Sequence, residues 1–147
     1  MTTLHTPLDH QGLQGEIRSR FHEVGQRFTQ EREALLDVLL STQRALTPQE
    51  LYEAAKRDHN VGLTTAYRII ETLTRLGFMQ VILIGGELRY RVCAPTHHHH
   101  LVCTQCQSVE EFGGCELEGL SVGSFRPTSH RIEVFGLCGQ CQSGEIL

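Results

Sequence analysis

The sequence has no apolar run that approaches the roughly 20 residues needed to span a bilayer, and no charged N-terminal segment leads into an apolar stretch. It also has no internal repeat and no low-complexity linker. These absences argue against a membrane protein and a secretory precursor. They predict a cytoplasmic protein with reduced or metal-bound cysteines and no membrane partner.

An excess of positive charge is also missing. The 147 residues carry 13 lysines and arginines against 17 aspartates and glutamates, a formal net charge of −4. Residues 1–92 hold eleven charges of each sign, so the acidity belongs to residues 93–147, with two arginines against six glutamates. Nucleic-acid contacts must therefore come from local clusters in the first part, and bound divalent cations would offset acidity in the second.

Metal-binding residues are abundant in the acidic part. Four histidines, His97–His100, precede Cys103 and Cys106, and a second Cys-x-x-Cys pair follows at Cys138 and Cys141. Two such pairs with four thiolates are typical of a closed structural zinc site. A single pair would also suit redox chemistry, and two disulfides in an oxidising compartment are the main alternative to zinc.

The histidine run can serve two sites, because side chains on a strand alternate between its faces. In an extended backbone, His98 and His100 point to one face, and His97 and His99 point to the other. A tag remnant would lie at a terminus, whereas this run is internal. A low-specificity metal reservoir is a further alternative.

Residues 13–76 carry the signals of four helices. Apolar residues recur at helical spacing after Leu13, and Thr29 is a suitable N-cap for a second helix. Thr47 and Glu50 form a capping-box pattern at the start of a third helix.

A fourth helix is predicted from Leu63 to Leu76, with Thr64 or Thr65 as its cap and Thr72 towards its outer face. Gly85-Gly86 then separates two runs of β-forming residues as a hairpin turn. Helices followed by a hairpin are typical of a winged helix-turn-helix domain.

In that fold the fourth helix lies in the major groove of DNA, with its N-terminal residues at base edges or phosphates. The predicted contacts are Arg27, Thr64, Thr65, Tyr67 and Arg68. A lone amphipathic helix with outward arginines is more often merely solvated. Here the order of the elements favours DNA binding.

The second part predicts a small α/β unit. Strands are indicated at Val109–Phe112 and His130–Leu137, with a short helix at about Cys115–Leu120. Because this unit is too thin to bury much apolar surface alone, we expect it to form a homodimer. The predicted class is α+β, with a winged-helix domain at 1–92, loose over 1–12, and a metal-binding dimerisation domain at 93–147.

Five segments together resemble the ferric uptake regulator family over roughly residues 15–142. They are Arg27–Arg32, Leu63–Arg68, His97–Cys106, Val109–Phe112 and Gly136–Cys141. The resemblance implies a homodimeric, metal-activated repressor with a winged helix on operator DNA. It also matches Tyr67 and Arg68 to the family's pair of recognition-helix residues.

The resemblance further implies a sensor site at Cys93, His98 and His100, like that of the zinc uptake regulator branch. Iron- and peroxide-sensing members usually carry a histidine and an acidic residue where this chain has Ala45 and Arg91. A thiolate with two imidazoles favours zinc over manganese or iron, which remain the alternatives. We expect Glu111 to be the fourth ligand, because the amide of the alternative residue, Gln80, is a poor ligand.

A further regulatory site in the family would fall on His97, His99, Glu118 and His130. The segment between Glu118 and His130 is about five residues shorter than is usual in the family. Cys115 receives no role from the resemblance and is interpreted as a small buried apolar residue.

The leading hypothesis is a zinc-responsive repressor of zinc-uptake genes, with zinc as a structural and regulatory cofactor and no small-molecule substrate. The same fold sensing manganese, iron or peroxide is the first alternative. A zinc hydrolase would need an open water position and a general base such as Glu110 or Glu111, but His-Glu-x-x-His is lacking. A zinc storage protein would leave the winged-helix pattern unexplained.

Overall fold

The computed structural model describes residues 10–115, 117 and 119–144. The chain divides into two compact units, whose boundary in the sequence lies between Pro95 and Thr96. We call the described residues up to Pro95 the N-terminal unit and those from Thr96 the C-terminal unit. None of the described helices has both the length and the apolar character needed to cross a membrane.

The N-terminal unit contains, within its described residues, helices α1 (His10–Glu23), α2 (Gln30–Ser41), α3 (Pro48–Ala55) and α4 (Leu63–Arg75). Strands β1 (Met79–Ile84) and β2 (Glu87–Val92) follow as an antiparallel hairpin. This order of helices and hairpin is that of a winged helix-turn-helix, so the predicted fold of the first part is confirmed.

Local side-chain hydrogen bonds determine where α2 and α3 begin. Thr29 Oγ1 accepts a hydrogen bond from the Arg32 N–H at 3.2 Å. Thr47 Oγ1 accepts one from the Glu50 N–H at 3.1 Å, and the Glu50 carboxylate accepts one from the Thr47 N–H at 3.0 Å. These bonds satisfy backbone donors that have no partner inside a helix, and both predicted caps are confirmed.

The start of α4 differs from the prediction. Its N-cap is Gly62, without a side-chain cap, so neither Thr64 nor Thr65 has that role. The Glu31 carboxylate of α2 instead accepts a hydrogen bond from the Gly62 N–H at 2.7 Å. A carboxylate at this position is stabilised by the positive end of the helix dipole.

The prediction that Thr72 faces outward is wrong. Thr72 is 5% exposed, and its hydroxyl donates a hydrogen bond to the side-chain oxygen of Gln26 at 3.4 Å. Thr72 follows Ile69 by three positions, so it lies on the same helical face as that buried residue. The hydrogen bond to Gln26 allows a hydroxyl to occupy the edge of the buried stripe.

The hairpin turn is confirmed. Ile84 pairs with Glu87 across it, and Gly85 and Gly86 have φ values of 59° and 83°. Two consecutive residues with positive φ are required by a type I′ turn, and glycine adopts this conformation without the steric cost of a Cβ.

An apolar core fills the N-terminal unit and draws on all of its helices and on the hairpin. Its most deeply buried large side chains are Ile17, Phe21, Leu35, Leu36, Leu39, Leu51, Ile69, Leu73, Ile82, Phe78 and Val92. Burial of each such side chain contributes roughly 1.5–3 kcal/mol. This unit is therefore stabilised mainly by its own apolar core.

The C-terminal unit has, within its described residues, strands β3 (His99–Cys103), β4 (Val109–Phe112) and β5 (Glu133–Gly136) and helix α5 (Gly139–Gln142). The strand order is β4-β3-β5, with β3 antiparallel to β4 and parallel to β5. The mixed sheet and following helix agree with the α+β class predicted.

Two expected elements of the second part differ. The predicted strand His130–Leu137 is shorter, since β5 spans only Glu133–Gly136. The predicted helix at Cys115–Leu120 falls partly on residues 116 and 118, which lie outside the described residues; Leu117 and Gly119 are in turns. The short helix α5, which contains Cys141, was not predicted from the sequence.

Candidate metal centres and nucleic-acid interface

Four thiols of the C-terminal unit converge. The Sγ atoms of Cys103, Cys106, Cys138 and Cys141 all lie within 4.8 Å of one another. The 3.8 Å between Cys106 Sγ and Cys138 Sγ matches the edge of about 3.8 Å expected for four thiolates around zinc at about 2.3 Å each. It is far longer than a disulfide bond of about 2.05 Å. The residues therefore fit a closed tetrahedral zinc site.

Backbone geometry builds each half of this cluster. Cys103 ends β3, and its carbonyl accepts a hydrogen bond from the Gln107 N–H at 3.0 Å, which closes the turn through Cys106. Gln107 adopts the left-handed conformation, with φ of 63°. Cys138 is the N-cap of α5, and Cys141 lies within that helix. Parallel pairing of Cys103 with Gly136 brings the second half beside the first.

The four thiols differ in acidity. Burial raises the pKa of Cys103, but backbone N–H groups led by that of Cys106 outweigh burial and lower it to about 6. The backbone N–H of Cys141 lowers the pKa of Cys138. Burial, followed by the three neighbouring thiols, raises the pKa of Cys141 to about 12. Neighbouring thiolates repel one another, so a cation is needed for all four to coexist.

A second group of ligands forms where His98, His100 and Glu111 meet. The Nε2 atoms of His98 and His100 are 3.1 Å apart, and His98 Nε2 is 3.7 Å from Glu111 Oε1. His100 pairs directly with Glu111 across β3 and β4, so the two side chains share one face of the sheet. The structure thus brings three of the four predicted sensor residues together.

The His98 ring is oriented for metal binding. Its Nδ1 is 2.6 Å from the Thr96 carbonyl oxygen, an acceptor, so the proton of the neutral ring lies on Nδ1. The lone pair of Nε2 then points towards His100 and Glu111. Glu111 Oε1 is buried and has no hydrogen-bond partner within the described residues. A hydrogen-bonded Nδ1 and a converging, unprotonated Nε2 are usual for a metal-bound histidine.

Cys93 and Gln80 belong to the N-terminal unit. Cys93 directly follows β2, is 4% exposed, and its N–H donates to the Phe78 carbonyl at 2.9 Å. Gln80 lies in β1 and is half-buried. Ala45 is fully buried and Arg91, in β2, is 6% exposed. Neither Ala45 nor Arg91 is a metal ligand by its chemistry.

A third group comprises His97, His99, Cys115 and His130, which each offer a ligand atom within 4.8 Å of the others. Burial lowers the pKa of His99, followed by the charges of His97 and His130. The Ile132 N–H is 3.2 Å from His99 Nδ1, which places the ring proton on Nε2. Binding a cation at Nε2 would move that proton to Nδ1 and give up this weak hydrogen bond.

This third group differs in one residue from the predicted set of His97, His99, Glu118 and His130. Glu118 lies outside the described residues, and Cys115 is found with the three histidines. The interpretation of Cys115 as a buried apolar residue is wrong, since its Sγ contacts His130 Nε2 at 2.9 Å and the residue is half-buried. One sequence signal pointed to it: every other cysteine already had a place in a metal site.

Four of the predicted DNA-contacting residues lie in the first half of α4, and the fifth, Arg27, lies before α2. Tyr67 is 53% exposed, and Arg68, Thr64 and Arg27 are also exposed, whereas Thr65 is half-buried. The carbonyl of Arg27 accepts a hydrogen bond from the Arg32 guanidinium, and the side chain of Arg27 extends from the loop before α2. An exposed aromatic ring and guanidinium near a helix N-terminus can reach bases and phosphates.

Comparison with known proteins agrees with these features. A family model described as the ferric uptake regulator family matches residues 23–135. The zinc uptake regulation protein of Mycobacterium tuberculosis is 37% identical over 127 residues, which cover 82% of this chain and 98% of that protein.

Two solved structures have similar folds. The Helicobacter pylori ferric uptake regulator Fur, described as having three functional metal-binding sites, is 26% identical with a TM-score of 0.66, covering 97% of each chain. A zinc-bound manganese uptake regulator is 26% identical with a TM-score of 0.62, covering 83% of this chain and 98% of its own.

Proposed function

This chain belongs to the ferric uptake regulator family and is a metal-responsive transcription repressor rather than an enzyme, and we propose that the metal it senses is zinc. Its similarity to the zinc uptake regulation protein supports zinc. We place the protein in the cytoplasm, where its thiols stay reduced and its operator DNA is found. The genes that it controls are those for zinc uptake.

The donor set of the sensor carries this proposal. His98 and His100 present two imidazole nitrogens 3.1 Å apart, with Glu111 beside them. Cys93 precedes His98 by five residues, and we assign its thiolate as the soft ligand of the same site. One thiolate, two imidazoles and a carboxylate suit zinc, whereas manganese and ferrous iron prefer sites richer in oxygen.

The four-cysteine cluster has a separate, structural role. Its ligands all lie in the C-terminal unit, and tetrahedral thiolates leave no open coordination position for a substrate or regulator. Zinc bound there links β3 to α5. We propose that this ion is always present and that the sensor site, rather than the four-cysteine cluster, responds to the zinc concentration.

The sensor couples metal binding to DNA binding through its choice of ligands. Cys93 follows the hairpin of the N-terminal unit, whereas His98, His100 and Glu111 belong to the C-terminal unit. Binding of one cation by both sets favours the subset of conformations in which they meet, which is a population shift. In a homodimer, this restriction would hold the two α4 helices at the spacing of successive major grooves.

Homodimerisation is supported by the apolar surface of the C-terminal unit. Val134, Phe135 and Leu137 are each about half exposed (48%, 48% and 49%), on or next to the edge strand β5. An exposed apolar edge strand is suited to pairing with a second copy. We propose this surface as the dimer contact and Arg27, Thr64, Thr65, Tyr67 and Arg68 as the operator contacts.

The test is operator affinity measured in titrations with zinc, manganese and ferrous iron, using a genomic operator selected with zinc-loaded protein. We expect Cys93→Ser to stay a folded dimer with its four-cysteine zinc. It should lose zinc-activated operator binding and retain weak, salt-sensitive, non-specific binding. Its preference for zinc over manganese should also weaken, because the thiolate distinguishes the site from an oxygen- and nitrogen-rich one.

His59→Ala is the matched control, because His59 is an exposed histidine in the turn after α3. This variant should respond to zinc as the parent does. If Cys93→Ser matched the parent in both affinity and metal preference, Cys93 would be only a buried thiol. Activation of the parent by manganese or iron in preference to zinc would give those metals the sensor role instead.

A further inference from the structure

Three histidine rings of the C-terminal unit pack together away from the His98 and His100 pair. The ring centroid of His97 lies 4.7 Å from that of His99 and 4.8 Å from that of His130. His99 is only 1% exposed, and its Nε2 has no hydrogen-bond partner among the described atoms. Buried polar atoms normally have partners, so an unpartnered one inside a histidine cluster indicates a place for a ligand.

A thiol completes this cluster. Cys115 Sγ lies 2.9 Å from His130 Nε2 and accepts a hydrogen bond from the Leu117 N–H at 3.4 Å. We propose that the Cys115 thiolate is the fourth ligand of a zinc ion held by His97, His99 and His130. The site then has three nitrogen donors and one sulfur donor, and it needs no carboxylate.

The ligand atoms are near enough to one another for a single tetrahedral ion to bind all four. With Zn–N bonds of about 2.0 Å and a Zn–S bond of about 2.3 Å, each N···S edge is about 3.5 Å. All four ligand atoms already lie within 4.8 Å of one another. The contact of 2.9 Å between Cys115 Sγ and His130 Nε2 is about 0.6 Å shorter than this edge, so a zinc ion bound by both atoms would move them slightly apart.

The turn after β4 brings the thiol to the histidines. β4 ends at Phe112, and Gly114 adopts φ of 75°, which redirects the chain within two residues. A cavity of 340 Å³ lined partly by His97 and His130 lies beside the cluster. Because His97 is exposed, this cavity offers an ion a route to the ligands from solvent.

A thiolate gives this site a different metal preference from a carboxylate. Sulfur favours borderline-soft ions such as zinc and cobalt over manganese and magnesium. The inference goes beyond the zinc response proposed above, because the site would form whichever metal the His98 and His100 site senses. Its four ligands all lie in the C-terminal unit, so it needs no particular arrangement of the two units.

The test uses cobalt as a spectroscopic substitute for zinc in the full-length Cys93→Ser protein with its four-cysteine zinc in place. In that background Cys115 is the one cysteine outside the four-cysteine cluster. Cobalt should produce the near-ultraviolet absorption of a cobalt–thiolate bond, without release of the resident zinc. Adding Cys115→Ser should abolish that absorption, and adding His59→Ala should leave it unchanged.

Two results would overturn the assignment. One is a cobalt–thiolate band that persists in Cys93→Ser/Cys115→Ser without zinc release. The other is a third metal site whose stoichiometry is unaffected by Cys115→Ser but is lost in Glu118→Gln, which would make the carboxylate the ligand. Operator binding is not used as a readout, so failure here is distinct from failure of the proposed repressor function.

A second measurement avoids any change at Cys115. Alkylation of Cys115 by iodoacetamide, followed by peptide mapping in the Cys93→Ser protein, should slow about tenfold or more when zinc is added, because the metal competes for the thiolate. His97→Ala, a change at an exposed ligand, should remove that protection, and His59→Ala should keep it. Equal alkylation rates with and without zinc would exclude Cys115 as a ligand.

Discussion

The two units of this protein are stabilised by different chemistry. The N-terminal unit buries large apolar side chains such as Phe21, Leu35 and Phe78 from every helix and from the hairpin. In the described C-terminal unit the buried residues are the apolar Val102 and Val109, together with Cys103, Cys141, His99 and His100. Most of the buried side chains in the C-terminal unit are thus potential metal ligands, whereas those of the N-terminal unit are mainly apolar. The comparison indicates that one unit folds by apolar burial and the other by metal binding.

Loss of the structural zinc should give the largest effect. Cys103→Ser removes one of four thiolates, and structural zinc contributes an apparent free energy of about 10–16 kcal/mol in small domains. We expect the C-terminal unit to unfold and the dimer to dissociate, while the helices of the N-terminal unit persist. Zinc content, size-exclusion chromatography and hydrogen exchange measure these three properties.

Cys115→Ser is the matched control for that change, because it alters a thiol outside the four-cysteine cluster. It should keep the tight zinc and the dimer. A stable, metal-free dimer of Cys103→Ser would contradict the distinction between the units.

The converse change tests the apolar unit. Phe78 is fully buried, so Phe78→Ala leaves a cavity and should lower the free energy of unfolding by about 3–5 kcal/mol. The four-cysteine zinc should be retained, since its ligands lie in the other unit. Urea unfolding followed by circular dichroism, with zinc content measured alongside, checks both. Val24→Ala, at a residue 50% exposed, should cost little, and zinc loss in Phe78→Ala would show that the units do not fold independently.

Acid should destabilise the C-terminal unit before the N-terminal unit. The folded-state pKa of Cys103 is lowered from 9.0 to about 6, so its thiolate is present above pH 6 and is lost as pH falls through that value. Protons then compete with zinc at Cys103 as well as at thiols with a higher pKa such as Cys141, so zinc affinity should decline most steeply below about pH 6. Zinc release to a chromogenic chelator should rise there before the N-terminal helices unfold. Simultaneous loss of zinc and helix would contradict this order.

The smallest effect on stability is expected at the DNA-binding surface. Arg68→Ala should leave metal content, dimerisation and unfolding unchanged. A lost phosphate contact lowers the salt slope of operator binding by about one per monomer, and a lost bidentate base contact costs about 1–3 kcal/mol on the cognate sequence.

Arg75→Ala is the control on the same helix, because Arg75 is exposed in the last turn of α4. It should bind the operator as the parent does. Unchanged DNA affinity in Arg68→Ala would remove α4 from the interface.

The sequence alone determined the features that depend on neighbouring residues. Thr29, the Thr47 and Glu50 pair, and Gly85-Gly86 act within a few residues, so their pattern was sufficient to predict two helix starts and the hairpin. The two Cys-x-x-Cys pairs were recognisable for the same reason, since each spans one turn. The alternation of His97 to His100 also followed from strand geometry.

Contacts between distant segments depended on the tertiary structure. The pairing of β3 with β4 places Glu111 opposite His100, and pairing of β3 with β5 brings the two cysteine pairs together. The hydroxyl of Thr72 is tolerated in the buried stripe because Gln26, 46 positions away, accepts a hydrogen bond from it. Cys115 meets His130 because a glycine turn redirects the chain after β4. No local pattern encodes such contacts, since they depend on strand register and on the paths of loops.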